Sequence, residues 1–280
     1  MPEGPEIRLA ADRIAAALVG RATTRVAFAF DRLRKFESRL GGRRIVDVRT
    51  RGKAILTCFD NGWVIYSHNQ LYGRWYVCRN GVVPDTRRQL RVEIHNREQS
   101  ALLYSASDID VLHHDELVRH PFLCRLGPDI LSDKPDAELI LERLRAPEFR
   151  NRQLASLLLD QGFLAGLGNY LRAEILTLAR LHPSRRPADC SRKQLQKLAG
   201  LIIRITHRSY RTRGVTNPPE LVKRLMAQGR TAREEYRFNS YGRDGEPCHY
   251  CGNPIHSSNA GGRRMYYCPG CQPVPGQAEV

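Results

Sequence analysis

Nothing in this 280-residue sequence is apolar for long enough to cross a membrane as a helix. Its first residues are too short and too polar a stretch to be expected to act as a secretory leader, and there is no repeat at a solenoid period and no long low-complexity run. These absences exclude a helical membrane protein, a solenoid and a low-complexity chain. With hydrophobic residues at 41% they also argue against wholesale disorder. Lysine is scarce: six of the 45 cationic residues, the other 39 being arginine. Acid is scarce too, at 29 residues, so the formal charge is +16. Such an excess points to a polyanionic partner, nucleic acid or a membrane surface. Without a leader the expected compartment is the cytoplasm, where thiols stay reduced, so the eight cysteines are not read as a disulfide framework.

The first six residues, Met1-Pro2-Glu3-Gly4-Pro5-Glu6, are followed by a helical pattern over 6–19, with Ile7, Ala10, Ala11, Ile14 and Leu18 on one face and Gly20 as a stop. The period then changes to two. Strands are expected at 23–30, 44–50, 54–59, 63–68, 74–78, 90–95 and 101–105, with Asn61-Gly62 and Asn80-Gly81 as hairpin punctuation. Seven short strands behind one helix suggest a β-sandwich. From residue 136 the pattern is helical, over 137–144, 151–159 and 170–179. Gly162, Gly166 and Gly168 mark a tight double turn between the last two. Ser191 and Gln194 form a capping box for a helix with the stripe Leu195, Leu198, Ile202 and Ile205. Residues 211–235 read as a polar, basic loop with room for a short helix near 221–226. The fold class is therefore α+β multidomain, divided at 1–125, 126–235, 236–273 and a tail, 274–280.

Two stretches carry chemistry on their own residues. Removal of Met1 would leave Pro2 as a secondary amine. A terminal amine has a reference pKa of about 7.7–8.0, so part of it is neutral near pH 7, and such amines form Schiff bases with carbonyls. Glu3 would lie beside it as an acid or base. At the other end, Cys248-x2-Cys251 and Cys268-x2-Cys271, sixteen residues apart, have the spacing of a closed tetrathiolate zinc site, structural rather than catalytic. Between these knuckles Gly261-Gly262 suggests a hairpin turn, followed by Arg263 and Arg264, which point to opposite faces of a strand. Cys58, Cys78, Cys124 and Cys190 read as small hydrophobes.

Together these residues resemble the formamidopyrimidine-DNA glycosylase and endonuclease VIII family of DNA repair enzymes, over nearly the whole chain. Four motifs carry the resemblance: the start Pro2–Glu6; Arg51-Gly52-Lys53; LLDQGFLAGLGNYLRAE from Leu158 to Glu174, which is similar to a helix–two-turn–helix; and the four cysteines with Arg263 five residues before Cys268. The resemblance implies that the Pro2 amine attacks C1′ of the damaged nucleoside, that Glu3 donates a proton at the sugar, and that Lys53 assists base excision and β-elimination. Asn169 and Arg263 would clamp the adjacent phosphate, with Arg263 tied to δ-elimination. His68-Asn69-Gln70-Leu71-Tyr72-Gly73 resembles the endonuclease VIII loop that fills the gap left by a flipped base, and Arg125 resembles a DNA contact opposite the lesion. The resemblance thus implies a monomeric glycosylase and AP lyase with one structural Zn2+, acting on oxidised pyrimidines in duplex DNA. A glycosylase for oxidised purines is the alternative enzyme, and a non-catalytic zinc-ribbon DNA-binding protein the alternative from another class.

Overall fold

The computed structural model describes residues 2–274, which form two compact units divided after Leu126; all but the first residue of the expected tail, 274–280, lies outside the described residues. In the first unit, α1 (Gly4–Leu18) starts where Pro5 presets its first turn. The helix ends at Leu18 with Val19 as its C-cap, and Gly20 follows with a φ of +80°, which suits the residue after a helix cap. Ile7, Ala11, Ile14 and Leu18 are buried, as the periodicity requires. Two antiparallel four-stranded sheets follow. One runs β2 (Ile45–Arg51), β3 (Ala54–Phe59), β4 (Trp63–His68) and β8 (Asp108–His113). The other runs β1 (Arg25–Phe28), β6 (Leu90–His95), β7 (Gln99–Tyr104) and β5 (Arg74–Arg79). Ile55, Ile65 and Val111 of the first sheet share a core with Phe28, Val92, Ile94 and Leu103 of the second and with the apolar face of α1. The far face of β3 and β4, through Leu56, Cys58, Val64 and Tyr66, is covered by Leu117, Phe122 and Leu123. That double covering is why β3 is buried at every position and reads as a continuous apolar run.

Three features differ from the sequence reading. The sandwich has an eighth strand, β8, whose alternation is carried by Asp108 and Asp110, residues that strands disfavour. Two four-residue helices, α2 (Asp31–Arg34) and α3 (Glu37–Leu40), bury only Leu33 and Leu40, too little to show a period. Strand β1 is also shorter than expected, four residues long.

The second unit is helical. It comprises α4 (Ala137–Arg145), α5 (Leu154–Leu157), α6 (Asn169–Ala179), α7 (Arg192–Arg211), α8 (Pro219–Ala227) and α9 (Arg233–Arg237), then the hairpin β9 (His256–Ala260) and β10 (Arg263–Tyr267). The expected α7 stripe is buried throughout. Its capping box is present: Ser191 Oγ accepts from Gln194 N at 3.2 Å, and Gln194 Oε1 accepts from Ser191 N at 2.8 Å. The expected helix at 151–159 shrinks to α5, because the chain enters the double turn directly after it. Residues 211–235 carry two helices where one was expected.

Candidate active site and metal centre

In the first unit, the site begins at the N-cap of α1. Glu3 is 3% exposed, and its backbone N–H donates to Glu6 Oε2 at 3.0 Å. Pro2 precedes it, half-buried. A parallel bridge between Val19 and Ile45 fixes the end of α1 at the start of β2, against which the helix packs. A helix of fifteen residues and a strand of seven are both about 22 Å long. A helix packed antiparallel along β2 from that bridge directs its start toward the Arg51 end of the strand. There Arg51 pairs with Ala54, so Gly52-Lys53 form a two-residue hairpin turn. Gly52 has a φ of +60°, as the first central position of a type II′ turn demands. Lys53 sits at its tip, half-buried.

Ala54 pairs in turn with His68, so the loop after β4 leaves the sheet at the same end as Lys53. This loop is built tightly. Gly73 N donates to Asn69 O at 2.7 Å, and a Cβ on Gly73 would lie 2.5 Å from that oxygen. Gln70 takes the left-handed conformation, φ +50°, with its backbone N–H donating to His68 Nδ1 at 3.1 Å and its side-chain Oε1 accepting from Ser107 Oγ at 2.7 Å. Leu71 and Tyr72 stand 51% and 67% exposed. Burial chiefly, and Lys53 further, push the His68 pKa down, while Asp108 opposes them. Arg125 ends a short 3-10 turn, with Nε donating to Pro121 O at 2.6 Å and the side chain otherwise exposed.

In the second unit, Asn169 is the first residue of α6, one place inside the N-cap Gly168. The preceding double turn is stapled by Gln161. Its Nε2 donates to Leu159 O and Leu167 O at 3.0 and 2.9 Å, and its Oε1 accepts from Gly166 N at 3.1 Å. Asp160 accepts from Gly162 N and from Arg152. Burial alone would raise its carboxyl pKa, but the Arg152 and Gly162 hydrogen bonds outweigh this and hold it below the ordinary range. The double turn presents the α6 N-terminus to the β9–β10 hairpin: Asn169 Nδ2 donates to Arg264 O at 3.0 Å. Gly261 and Gly262, φ +61° and +71°, make the hairpin a type I′ turn.

Sequence reasoning missed what holds this hairpin in place. Arg172 is fully buried and donates to Ala155 O at 2.7 Å, Ala260 O at 3.0 Å and Arg263 O at 3.3 Å. Glu174, also fully buried, accepts from the backbone N–H groups of Asn239, Ser240 and Tyr241 at 2.7, 2.9 and 3.0 Å, and from Thr216 Oγ1 at 2.6 Å. Gln272 joins Cys268 N, Thr177 Oγ1 and Leu181 O. A signal was available: α6 is apolar nearly all round, so a charge within it must be buried and paired.

The four cysteines come together, each offering a sulfur within 4.8 Å of the others. Cys251 and Cys268 sulfurs are 3.3 Å apart, and those of Cys248 and Cys271 3.9 Å. Zinc–sulfur bonds of about 2.3 Å give sulfur–sulfur edges of roughly 3.8 Å. Gly270 leaves room for the cluster, since a Cβ there would lie 3.2 Å from Cys251 Sγ and 2.1 Å from Asn253 Nδ2. Burial chiefly raises the Cys268 thiol to about 11 and lifts that of Cys271 as well. Four crowded sulfurs favour a cation that takes them as thiolates. The cluster suits one structural metal ion.

Residues 1–107 match the formamidopyrimidine-DNA glycosylase N-terminal domain, and residues 126–217 match the H2TH domain of the same family. The chain belongs to the formamidopyrimidine-DNA glycosylase and endonuclease VIII family. It is 48% identical over 272 residues to endonuclease 8 of Escherichia coli O17:K52:H18, covering 97% of this chain and all of the relative, and 47% identical over the same span to endonuclease 8 of Shigella sonnei. The enzyme is a DNA glycosylase and AP lyase. Its fold is that of Lactococcus lactis formamidopyrimidine-DNA glycosylase bound to DNA with an AP site, at a TM-score of 0.79 and 20% identity, over 97% of this chain and all of that one. A complex of the same enzyme with DNA containing N7-benzyl-Fapy-dG gives 0.80 and 21%, over 98% and 100%. No helix among the described residues is long and apolar enough to cross a membrane.

Proposed function

We propose that the enzyme removes oxidised pyrimidines from duplex DNA as a monomer, through a Schiff base on Pro2, and then cuts the strand by β,δ-elimination. With Met1 removed, the Pro2 nitrogen attacks C1′, the glycosidic bond breaks and the base leaves. Glu3, held at the N-cap, protonates the opening sugar. Lys53 assists base departure and takes the proton lost in β-elimination. The observation that carries this reading is that the Lys53 turn and the Gln70–Tyr72 loop leave one sheet at the same end, on the strand against which α1 packs.

The loop supports the choice of substrate branch. Exposed Leu71 and Tyr72 on a strained, tightly packed turn suit insertion into the gap of a flipped base, with Gln70 hydrogen-bonding the orphaned partner. Arg125 contacts the strand opposite. Asn169 and Arg263 hold the phosphate, aided by the positive end of the α6 dipole. Strand alternation supports Arg263 over Arg264: Met265 is buried in the helical core, and Arg263 shares its face of β10. The metal is one structural Zn2+, held by Cys248, Cys251, Cys268 and Cys271; it closes the finger and takes no part in the reaction. Competition between lesions tests the reading. Thymine glycol and dihydrouracil should leave duplex DNA much faster than 8-oxoguanine opposite cytosine; faster release of the purine would transfer the enzyme to the other substrate branch.

A further inference from the structure

Strand β8 ends in His113, and His114 and Asp115 follow at the start of the 3-10 turn His114–Arg119. None of the three has a part in the chemistry above. The Asp115 carboxylate lies between the two imidazoles: Oδ2 is 3.1 Å from His113 Nδ1, and Oδ1 is 2.8 Å from His114 Nε2. One donor atom from each residue lies within 4.8 Å of the others. Nitrogen and oxygen ligands bind zinc at about 2.0–2.2 Å, which sets neighbouring donors roughly 3.3 Å apart in a tetrahedron. The His113–Asp115 separation of 3.1 Å is close to that value, and the His114–Asp115 separation of 2.8 Å, to the other carboxylate oxygen, is about half an ångström shorter.

The arrangement is held from outside the three side chains. His114 N donates to Gly62 O at 2.9 Å, and His113 N to Glu116 Oε2 at 2.7 Å. Gly62, at φ +81°, is the floor on which both rings rest. A Cβ there would lie 2.5 Å from His113 Nε2 and 3.2 Å from His114 Nδ1, so a side chain would push the pair apart. Trp63 packs edge-on against the His113 ring, at 5.8 Å. We propose that His113, His114 and Asp115 form a binding site for one divalent first-row transition ion, separate from the four-cysteine cluster. Two imidazoles and one carboxylate suit zinc, cobalt or nickel. The side chains are 37%, 60% and 71% exposed, so the remaining positions are open to water and the ion exchanges readily. The site stands apart from the chemistry. In the β4–β8 register Trp63 pairs with His113 and His68 with Asp108, which puts it five residues, about 17 Å, from the end that carries the Lys53 turn.

The test is metal stoichiometry on the full, untagged chain, with the four-cysteine cluster already loaded. Equilibrium dialysis against free zinc at neutral pH, followed by elemental analysis, should give two zinc ions per chain. His114→Ala and Asp115→Asn should each give one, with cleavage of abasic DNA within about twofold of the parent protein. In the parent protein the ring nitrogens of His113 and His114 should shift together in the nuclear magnetic resonance spectrum as the second equivalent binds. One zinc in the parent protein would overturn the proposal. So would a second zinc that survives in His113→Ala combined with His114→Ala, because the ion would then lie elsewhere.

Discussion

Two hairpin turns in this molecule each present a cation, and they are built in opposite ways. The Lys53 turn closes β2 and β3, which lie in a four-stranded sheet covered on both faces. Its shape follows from Gly52 and from neighbours in sequence. The Arg263 turn closes a sheet of two strands. A hairpin of that size is marginal in water by itself. It is flanked in sequence by the two pairs of clustered cysteines and held by Arg172, which reaches its carbonyl groups from a helix about ninety residues earlier. The first cation is placed by local structure and the second by distant side chains. Damage to those distant partners should therefore disable the second turn and spare the first.

The largest effect should come from Cys268→Ser. Structural zinc is worth roughly 10–16 kcal/mol in small fingers, so the hairpin should lose its metal and its order. DNA binding and strand cleavage should fall together, while amide exchange in the sandwich strands stays slow. A metal-free hairpin with protected amides would show that it needs no outside support, and the contrast would collapse.

Arg172→Ala is the next step down. It leaves buried carbonyls without their charged donor, which costs about 3 kcal/mol. Denaturant unfolding of the second unit should register that loss, with the metal still bound. Arg172→Lys should restore little, because a single ammonium cannot span carbonyls that a planar fork reaches.

Gly52→Ala probes the local turn by a smaller amount. A Cβ at φ +60° costs about 1 kcal/mol. Because the turn aims Lys53, base excision should slow while binding to duplex DNA holds. If binding suffers more than excision, Lys53 serves the DNA contact and not the chemistry.

The smallest effect is on pH. His68 is kept neutral chiefly by burial, so its folded pKa lies below the unfolded value. The unfolded chain then takes up the proton first. The stability this contributes is complete above about pH 6.5 and is lost as pH falls through the folded pKa. Urea midpoints at pH 7 and pH 5 should differ less in His68→Gln than in the parent protein.

How much was legible in advance follows the same division. Helix α7 and most of the strands from β2 to β7 announce themselves by the period of a buried face, and β3, covered on both faces, by its continuous apolar run. The cysteine spacing and the Gly261-Gly262 turn are legible for the same local reason. Strand β8 was not, since its outward positions are aspartates with partners on other elements: Tyr66 Oη donates to Asp108, and Arg32 to Asp110. Arg172 and Glu174 were read only as part of a motif. Their meaning lies in carbonyls and amides between 155 and 264 that no spacing rule connects. In the first unit, the turns that carry Lys53 and Gln70–Tyr72 could be placed in sequence. Their meeting at one end of the sheet needed the strand register.

Everything proposed for the reaction depends on a free amine at Pro2. Borohydride reduction during reaction with abasic duplex DNA, followed by digestion and mass mapping, measures this directly. The expected adduct lies on a peptide that begins at Pro2 and lacks Met1. An adduct on Lys53, or none at all, would contradict the proposed mechanism.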